Sequence, residues 1–508
     1  MSFFLATVPV GTQLYHGTSK QDLVKGMEWL AFEPEHALIF ARPRRGPPPG
    51  DGNRPSKDGG GPKNIDTLRS WEDEHHSLDR PEPDHSTGHK LPPPLRFHGS
   101  KQDSDVGYLH TYVPKHPLRL LYIDGLSAGK TSNGTLDTQD KLLLNLTDTN
   151  GPMGGEFDRA HGLCNLTSTL WKGQIDGILR MEGGFEIILC DFEKHLERTD
   201  VIAITEGGGH GGPSGLLGGW QYLKAVTSRY HGIGGERVSV CYDDFVSVFA
   251  YPTVEELFKN DVESDYAMPR LQNVKYAELV RIKDDITDMI LKKDWDEEKE
   301  TRNWQSVTDL VVQRYSSPLH YIHTNDLVRK DRNALATYLI TFLRPFIDLT
   351  ARNATLETHR CVSQFIPALA TPPQLGSSLA HRTLHTVTTH ICDALLTSLS
   401  IASSPAPHSS FTAVYAAHAA EIIDELVEYL QWTTWKQCRD CADEEVCFVP
   451  IWPMGSHEDH AKPQCRSEED ARGRMGYWGS RWGRGPPGEG RGDPDYGGKG
   501  VSFNEHSD

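Results

Sequence analysis

Near Pro252 the chain changes its hydrophobic period, and that change limits the fold more than any other feature. Before it, short runs of aromatic, β-branched and large apolar residues are bounded by Gly and Pro, which is the pattern of strands. Such runs are Gly107–Val113, Leu118–Asp124 and Phe185–Phe192. A hairpin is expected from Arg237–Tyr242 and Phe245–Phe249. After Pro252, apolar residues recur every three or four positions over Lys275–Leu291, Trp304–Tyr315, Ala334–Leu349, His381–Leu399 and Ala413–Leu430. That spacing predicts helices that bury one face in a bundle. The expected class is therefore α+β: a strand-rich domain over 1–255 and an α-helical domain over 256–437. A Cys/Trp/Pro-rich segment, 438–466, is expected to pack on the helical domain.

Two stretches lack either period. Within the first domain, 43–104 is dominated by Pro, Gly and charge, as in Gly46-Pro47-Pro48-Pro49-Gly50 and Gly59-Gly60-Gly61. It reads as a disordered insertion, and 467–508, rich in Gly, Arg, Trp and acids, as a disordered tail. Both fit a 508-residue chain with 47 Gly, 32 Pro and only 37% hydrophobic residues. A formal charge of −18 argues against broad nucleic-acid binding, which needs a cationic face. No run of apolar residues is long enough for a transmembrane helix, and the opening Met1–Val8 is too short and uncharged for a signal peptide.

The nine cysteines leave the compartment open. Sequons at Asn133, Asn145, Asn165 and Asn353, one beside Cys164, lean toward a secreted glycoprotein; a cytoplasmic location is the alternative. Cys438, Cys441, Cys447 and Cys465 suit two local disulfides, and Cys361 with Cys392 a helix-to-helix bridge. Zinc held by Cys438, Cys441, Cys447 and Cys465, with His457 and His460 near enough to substitute, stays open for a cytosolic protein. Most of the 24 histidines read as solvated or core residues. Gly125-Leu126-Ser127-Ala128-Gly129-Lys130-Thr131 imitates a phosphate loop, but the glycine spacing is one residue short and no good helix follows, so it reads as a turn.

One constellation suggests chemistry. Leu14-Tyr15-His16-Gly17-Thr18 ends a strand-like run, and its glycine is expected to turn the backbone beside the histidine. Glu28-Trp29-Leu30-Ala31-Phe32 runs into a helix opened by Pro34, and Gly184-Phe185-Glu186 opens another strand. This order resembles the ADP-ribosyltransferase-like superfamily over about the first 200 residues. The resemblance implies an NAD-binding cleft and transfer of ADP-ribose to an acceptor such as a protein. His16 would fix the ribose, Tyr15, Gly17 and Thr18 would line the wall, and Trp29 would stack on nicotinamide. Glu186 would stabilise the positive charge that develops as the glycosidic bond breaks. Two positions depart from that pattern: Trp29 or Phe32 replaces the usual second-motif residue, and Gly184 stands where a second acid would. The later segments, with Trp435-Lys436-Gln437-Cys438 and Phe448–Pro453, resemble an uncharacterised fungal family. The alternative is a non-enzymatic secreted or lumenal interaction protein with a disulfide-braced helical domain.

Overall fold

The computed structural model describes residues 1–43, 106–130, 133–146, 155–205, 220–227, 232–259, 268–296, 302–366, 378–405, 412–438, 440–449, 455, 459 and 462–471. The expected insertion from residue 44 on, the Gly-rich 207–219 loop and the tail beyond 471 lie outside the described residues.

The N-terminal strands are β1 (Ser2–Val8), β2 (Leu14–Thr18), β3 (Glu28–Ala31), β4 (Val106–Pro114), β5 (Leu118–Ile123), β6 (Gly177–Met181), β7 (Phe185–Leu189), β8 (Leu196–Thr205) and β9 (Ser239–Ser247). They form one nine-stranded sheet in the order β8-β4-β2-β3-β7-β6-β5-β1-β9. All neighbours are antiparallel except β5 and β6. The expected hairpin over 237–249 is instead a single strand, β9, paired to β1 with a register shift at Phe4/Leu5. A bulge lets one strand bend where alternation alone suggests a turn.

Side chains alternate between the two sheet faces, and so do the cores. Ala6, Val8, Leu14, Leu30, Leu118, Leu120, Leu179, Ile187 and Leu189 point to the first face, where strand residues together with Phe192 bury one another. Phe3, Leu5, Leu121, Ile123, Ile178 and Ile188 point to the second face, which helices cover. The helices of this half are α1 (Pro34–Leu38), α2 (Glu156–Ser168), α3 (Phe192–His195), α4 (Trp220–Thr227) and α5 (Tyr276–Lys292); the second-face core is covered by α2, α5 and a π-helix, Thr138–Leu143. Pro34 opens α1 at a position where its missing N–H costs nothing. Trp171, fully buried, donates its indole N–H to Thr287 of α5 at 3.2 Å. By packing, therefore, α5 belongs to the sheet, and that core runs past residue 255 to Ile290.

The remaining helices are α6 (Trp304–Thr324), α7 (Asp326–Lys330), α8 (Arg332–Leu343), α9 (Ala354–Ser363), α10 (Leu379–Ser403) and α11 (Thr412–Leu430). Five of them start where a polar side chain caps the first turn: Asn303, Asn325, Asp331, Asn353 and Ser378 accept from backbone N–H groups. Their apolar faces meet in one core that includes Leu319, Leu335, Leu339, Ile391, Leu395 and Ile423. A disulfide between Cys361 and Cys392 ties α9 to α10 inside it, with Cα atoms 6.0 Å apart. No helix among the described residues is long and apolar enough to cross a membrane.

Past α11, Val446–Phe448 and Gln464–Arg466 pair as a small hairpin, β10 and β11. Cys438–Cys447 and Cys441–Cys465 are disulfides that anchor its lead-in, so these four thiols are spent and the zinc arrangement is not formed. Just before this segment, Trp432 and Trp435 lie against the helical core. The hairpin itself packs on α4: Val446 and Phe448 meet Leu223, together with Ala471 of the short helix Glu468–Ala471. A fourth disulfide, Cys164–Cys190, joins α2 to the end of β7.

Candidate active site: a buried charge network around Arg180 and Glu186

Arg180 and Glu186 are direct cross-strand partners on β6 and β7. Opposed residues point to the same face with their Cβ atoms about 5 Å apart, so register alone brings these two charges together. Arg180 Nε donates to Glu186 Oε1 at 2.8 Å, and the arginine is wholly buried. Its other nitrogens reach Gln139 Oε1, at 2.8 Å, and Glu156 Oε1. Glu156 stands in the first turn of α2, where a helix N-terminus favours an acid. It also accepts from Arg159 at 2.6 Å, and Arg159 in turn grips Asp140 at 2.5 and 3.0 Å. Gln139 and Asp140 come from the π-helix, a geometry frequent at functional sites.

The hairpin tip adds the rest. Glu182 is buried and accepts from Lys130 at 2.6 Å. His36 of α1, 2% exposed, lies above the tip. Its Nδ1 is 3.3 Å from the Tyr222 hydroxyl, and its Nε2 faces Glu186 Oε2 at 3.6 Å with no hydrogen-bond partner. A Cβ at position 184 would sit 3.3 Å from the His36 ring. The glycine that stands in place of a second acid thus makes room for this imidazole.

Charge balance follows from the pairs. Four carboxylates, Asp140, Glu156, Glu182 and Glu186, face three cations, Lys130, Arg159 and Arg180. The count leaves one negative charge in excess among these groups. Burial and the Glu186 charge push the Glu182 carboxyl up, against the pull of Lys130. Arg180, aided by Lys130 and His36, overcomes burial and holds Glu186 far below the usual carboxylate range. The donor atoms of His36, Glu182 and Glu186 lie within 4.8 Å of one another. Lys130 and Arg180 already occupy the two carboxylates, so the chemistry of this set suits a mobile proton better than a metal cation.

The residues expected to form the nicotinamide cleft divide between the two faces. β2, β3 and β7 are neighbours in the sheet. Tyr15 pairs with Ala31, and Ala31 with Glu186, so Tyr15 shares the Glu186 face but stands one strand removed from it. His16, one residue on, points to the opposite face. There its Nδ1–H donates to the Trp29 carbonyl at 2.7 Å and its ring meets Phe192 edge-on at 5.6 Å. Burial lowers the His16 imidazole to about 4, so it is neutral. Trp29 shares the Glu186 face but tilts over Phe157 of α2, with ring centres 6.1 Å apart. The Thr18 hydroxyl accepts from the Lys20 N–H at 3.4 Å. His16 and Glu186 therefore do not meet, which corrects the expected cleft.

Gly17 has a role other than the expected turn. It lies inside β2, and a Cβ there would come 2.0 Å from the Ala37 carbonyl oxygen. Only a glycine lets α1 lie on the strand and bring His36 over Glu186. Lys130, from the loop that imitates a phosphate site, is likewise committed to Glu182. Arg180, Glu156 and Arg159 went unnoticed in the sequence. An arginine inside the apolar run Gly177-Ile178-Leu179-Arg180-Met181 was the available signal, because a buried guanidinium demands partners.

The sequons are spread over the surface. Asn145 and Asn165 are exposed, Asn353 is exposed and caps α9, and Asn133 lies in a turn. A depression of about 480 Å³ lies elsewhere, between α7 and α11, where Arg329 pairs with Asp424 and Lys330 with Asp326.

Residues 1–207 match the model of a family described as the YPL277C N-terminal domain. Two proteins of Saccharomyces cerevisiae are similar. Uncharacterized protein YOR389W is 34% identical over 220 residues, which cover 41% of this chain and 30% of that protein. Uncharacterized protein YPL277C is 34% identical over 216 residues, covering 41% of this chain and 38% of that protein. The chain thus spans about a third of the length of these curated relatives. No solved structure matches it. The similarity is to an uncharacterised fungal family, and the matched segment, 1–207, contains Lys130, Arg180, Glu182, Glu186 and His36.

Proposed function

We propose that the sheet domain is a catalytic module for acid–base chemistry on a small polar substrate, with Glu182 and His36 as the proton-exchanging pair. The observation that carries this reading is geometric: donor atoms of His36, Glu182 and Glu186 lie within 4.8 Å of one another in a buried site. Arg180 is paired to Glu186 and Lys130 to Glu182, and this buried arrangement favours the charged form of Glu186 and raises Glu182. Environments that drive two carboxyls apart create an acid and a permanent anion side by side. Glu186 supplies the fixed negative charge. Lys130 and Glu156, with side chains 16% and 21% exposed, form the side of the network that reaches solvent. A substrate with an anionic group would meet the Lys130 ammonium there first.

The NAD reading fits within this one in altered form. Glu186 has the charge needed to stabilise a developing ribosyl cation, but the imidazole beside it is His36 and not His16. The test is a carbon-13 carboxyl titration of the full chain, with and without NAD. Glu182 should protonate above the usual carboxylate range and Glu186 should stay ionised through mild acid. NAD that binds this site should move the Glu182 midpoint and leave it unmoved in the His36→Asn variant. Two ordinary carboxyl midpoints would remove the acid–base reading altogether; normal divergence with no NAD response would remove only the nucleotide.

Three of the four disulfides, Cys361–Cys392, Cys438–Cys447 and Cys441–Cys465, support a second reading for the helical half and its hairpin, a braced interaction platform suited to an oxidising compartment. It requires Cys241 to be the single free thiol of the native chain.

A further inference from the structure

A second cluster lies away from this network, where the β4–β5 turn meets α3. His116, in that turn, is exposed; His195, at the end of α3, is buried. His116 Nε2 and His195 Nδ1 face each other at 3.1 Å. The outer nitrogens decide what the inner ones carry. His116 Nδ1 lies 3.3 Å from the Pro117 carbonyl oxygen, which can only accept, so that nitrogen bears the hydrogen and Nε2 keeps its lone pair. His195 Nε2 is 3.8 Å from Asp176 Oδ1, and a carboxylate there favours a hydrogen on Nε2. In that tautomer the His195 Nδ1 lone pair points at the His116 lone pair; in the other, the rings share an N–H···N hydrogen bond at 3.1 Å. Two lone pairs at this distance repel unless something positive lies between them.

We propose that His116 Nε2 and His195 Nδ1 are the protein ligands of a site for a zinc-class divalent cation, with Asp176 fixing the tautomer of His195 from behind. Zinc–nitrogen bonds of about 2.0–2.1 Å at a near-tetrahedral angle place two nitrogens roughly 3.3 Å apart, close to the spacing already present. A carboxylate behind a ligating imidazole is the usual support for such a site. Asp176 is itself held rigid: it accepts from the Arg119 backbone N–H at 2.9 Å and from its guanidinium at 3.2 and 2.7 Å. Both carboxylate oxygens are therefore engaged, and the remaining metal positions fall to water or to an incoming ligand on the open His116 side. Bound metal would clip the β4–β5 turn to α3, which the Lys115 N–H to His195 carbonyl hydrogen bond, 2.9 Å, already holds in place.

The experiment titrates zinc chloride into the full, disulfide-intact chain and follows the histidine ring nitrogens by nitrogen-15 NMR. One zinc ion should bind, with His116 Nε2 and His195 Nδ1 both moving to metal-bound shifts. His116→Ala, at an exposed position that the fold does not need, should lose that ion, while His36→Asn should keep it. Asp176→Asn should weaken binding 10- to 100-fold. Failure of the wild type to bind zinc, or equal binding by His116→Ala, overturns the site and leaves a simple ring-to-ring hydrogen bond.

Discussion

The two halves of this molecule bury different things. In the sheet half, Asp137, Asp140, Arg159, Asp176, Arg180, Glu182, Glu186, His16, His36 and His110 all lie out of solvent. In the helical half the core is Leu, Ile, Val and aromatic rings, and Glu357, Thr388 and Ser398 are the buried polar groups among its described residues from 302 to 430. Apolar packing suffices to build a bundle. Burying charges costs several kcal/mol per ion unless each is paired, so such a network adds less stability than an apolar core of the same volume. The difference directs attention to the sheet half for chemistry and to the helical half for scaffolding. The matched family segment lies within the sheet half as well.

The sharpest way to break this comparison is to remove one cation from each half. Arg180→Met should strand Glu186 and Glu156 and cost about 3–5 kcal/mol in chemical denaturation. Arg329→Met, which removes the surface pair with Asp424, should cost under about 1 kcal/mol. Similar losses from both would erase the distinction.

Next in size is the bridge within the helical core. Cys361 and Cys392 are 31 residues apart. Replacing both with Ser should cost about 3–4 kcal/mol by loop entropy, without touching the charge network. A thiol count on native wild type should read one, from Cys241. A count of nine would remove the braced-platform reading.

A third test belongs to the sheet half and concerns pH. Burial, opposed by the hydrogen bond to the Trp29 carbonyl, lowers His16 from its ordinary 6.5 to about 4. Its contribution is fully present above pH 6.5 and is lost as pH falls toward 4, by roughly 3 kcal/mol. Glu28, on the strand beside it, is raised by burial from 4.5 to about 7, so its contribution is present below pH 4.5 and lost as pH rises toward 7, again by roughly 3 kcal/mol. Between about pH 4.5 and 6.5 the His16 and Glu28 slopes oppose and cancel each other, so the wild-type curve there reflects the remaining groups. Glu28→Gln should then fall steeply with acid and His16→Gln should fall with base. Parallel curves for all three proteins would show that neither group is held as the structure implies.

Much of the fold was legible in the sequence, because period is a local property. The β4 and β5 runs, the Pro34 helix start and the five long helical patterns each follow from residues within a few positions of one another. Helix α2 escaped, since Glu156–Ser168 carries Gly162, Asn165 and two threonine or serine positions near its end and lacks a clear apolar stripe. The β9 bulge escaped because a bulge is visible only against its partner strand.

By itself, the sequence determined that a strand-rich half precedes a helical half; that the strands bearing Tyr15, Ala31 and Glu186 lie side by side is a finding of the structure. Only the tertiary structure decided which side chains share a face. The β2–β3–β7 register puts Tyr15, Ala31 and Glu186 in one row and sends His16 to the other side. A strand repeats every two residues, so a displacement of one position separates a pair completely. The imidazole that does reach Glu186 is His36, carried there by a helix that rests on the bare backbone of Gly17. Pairing across strands and the close approach of a helix to a glycine are long-range events, and no local pattern in the chain encodes them.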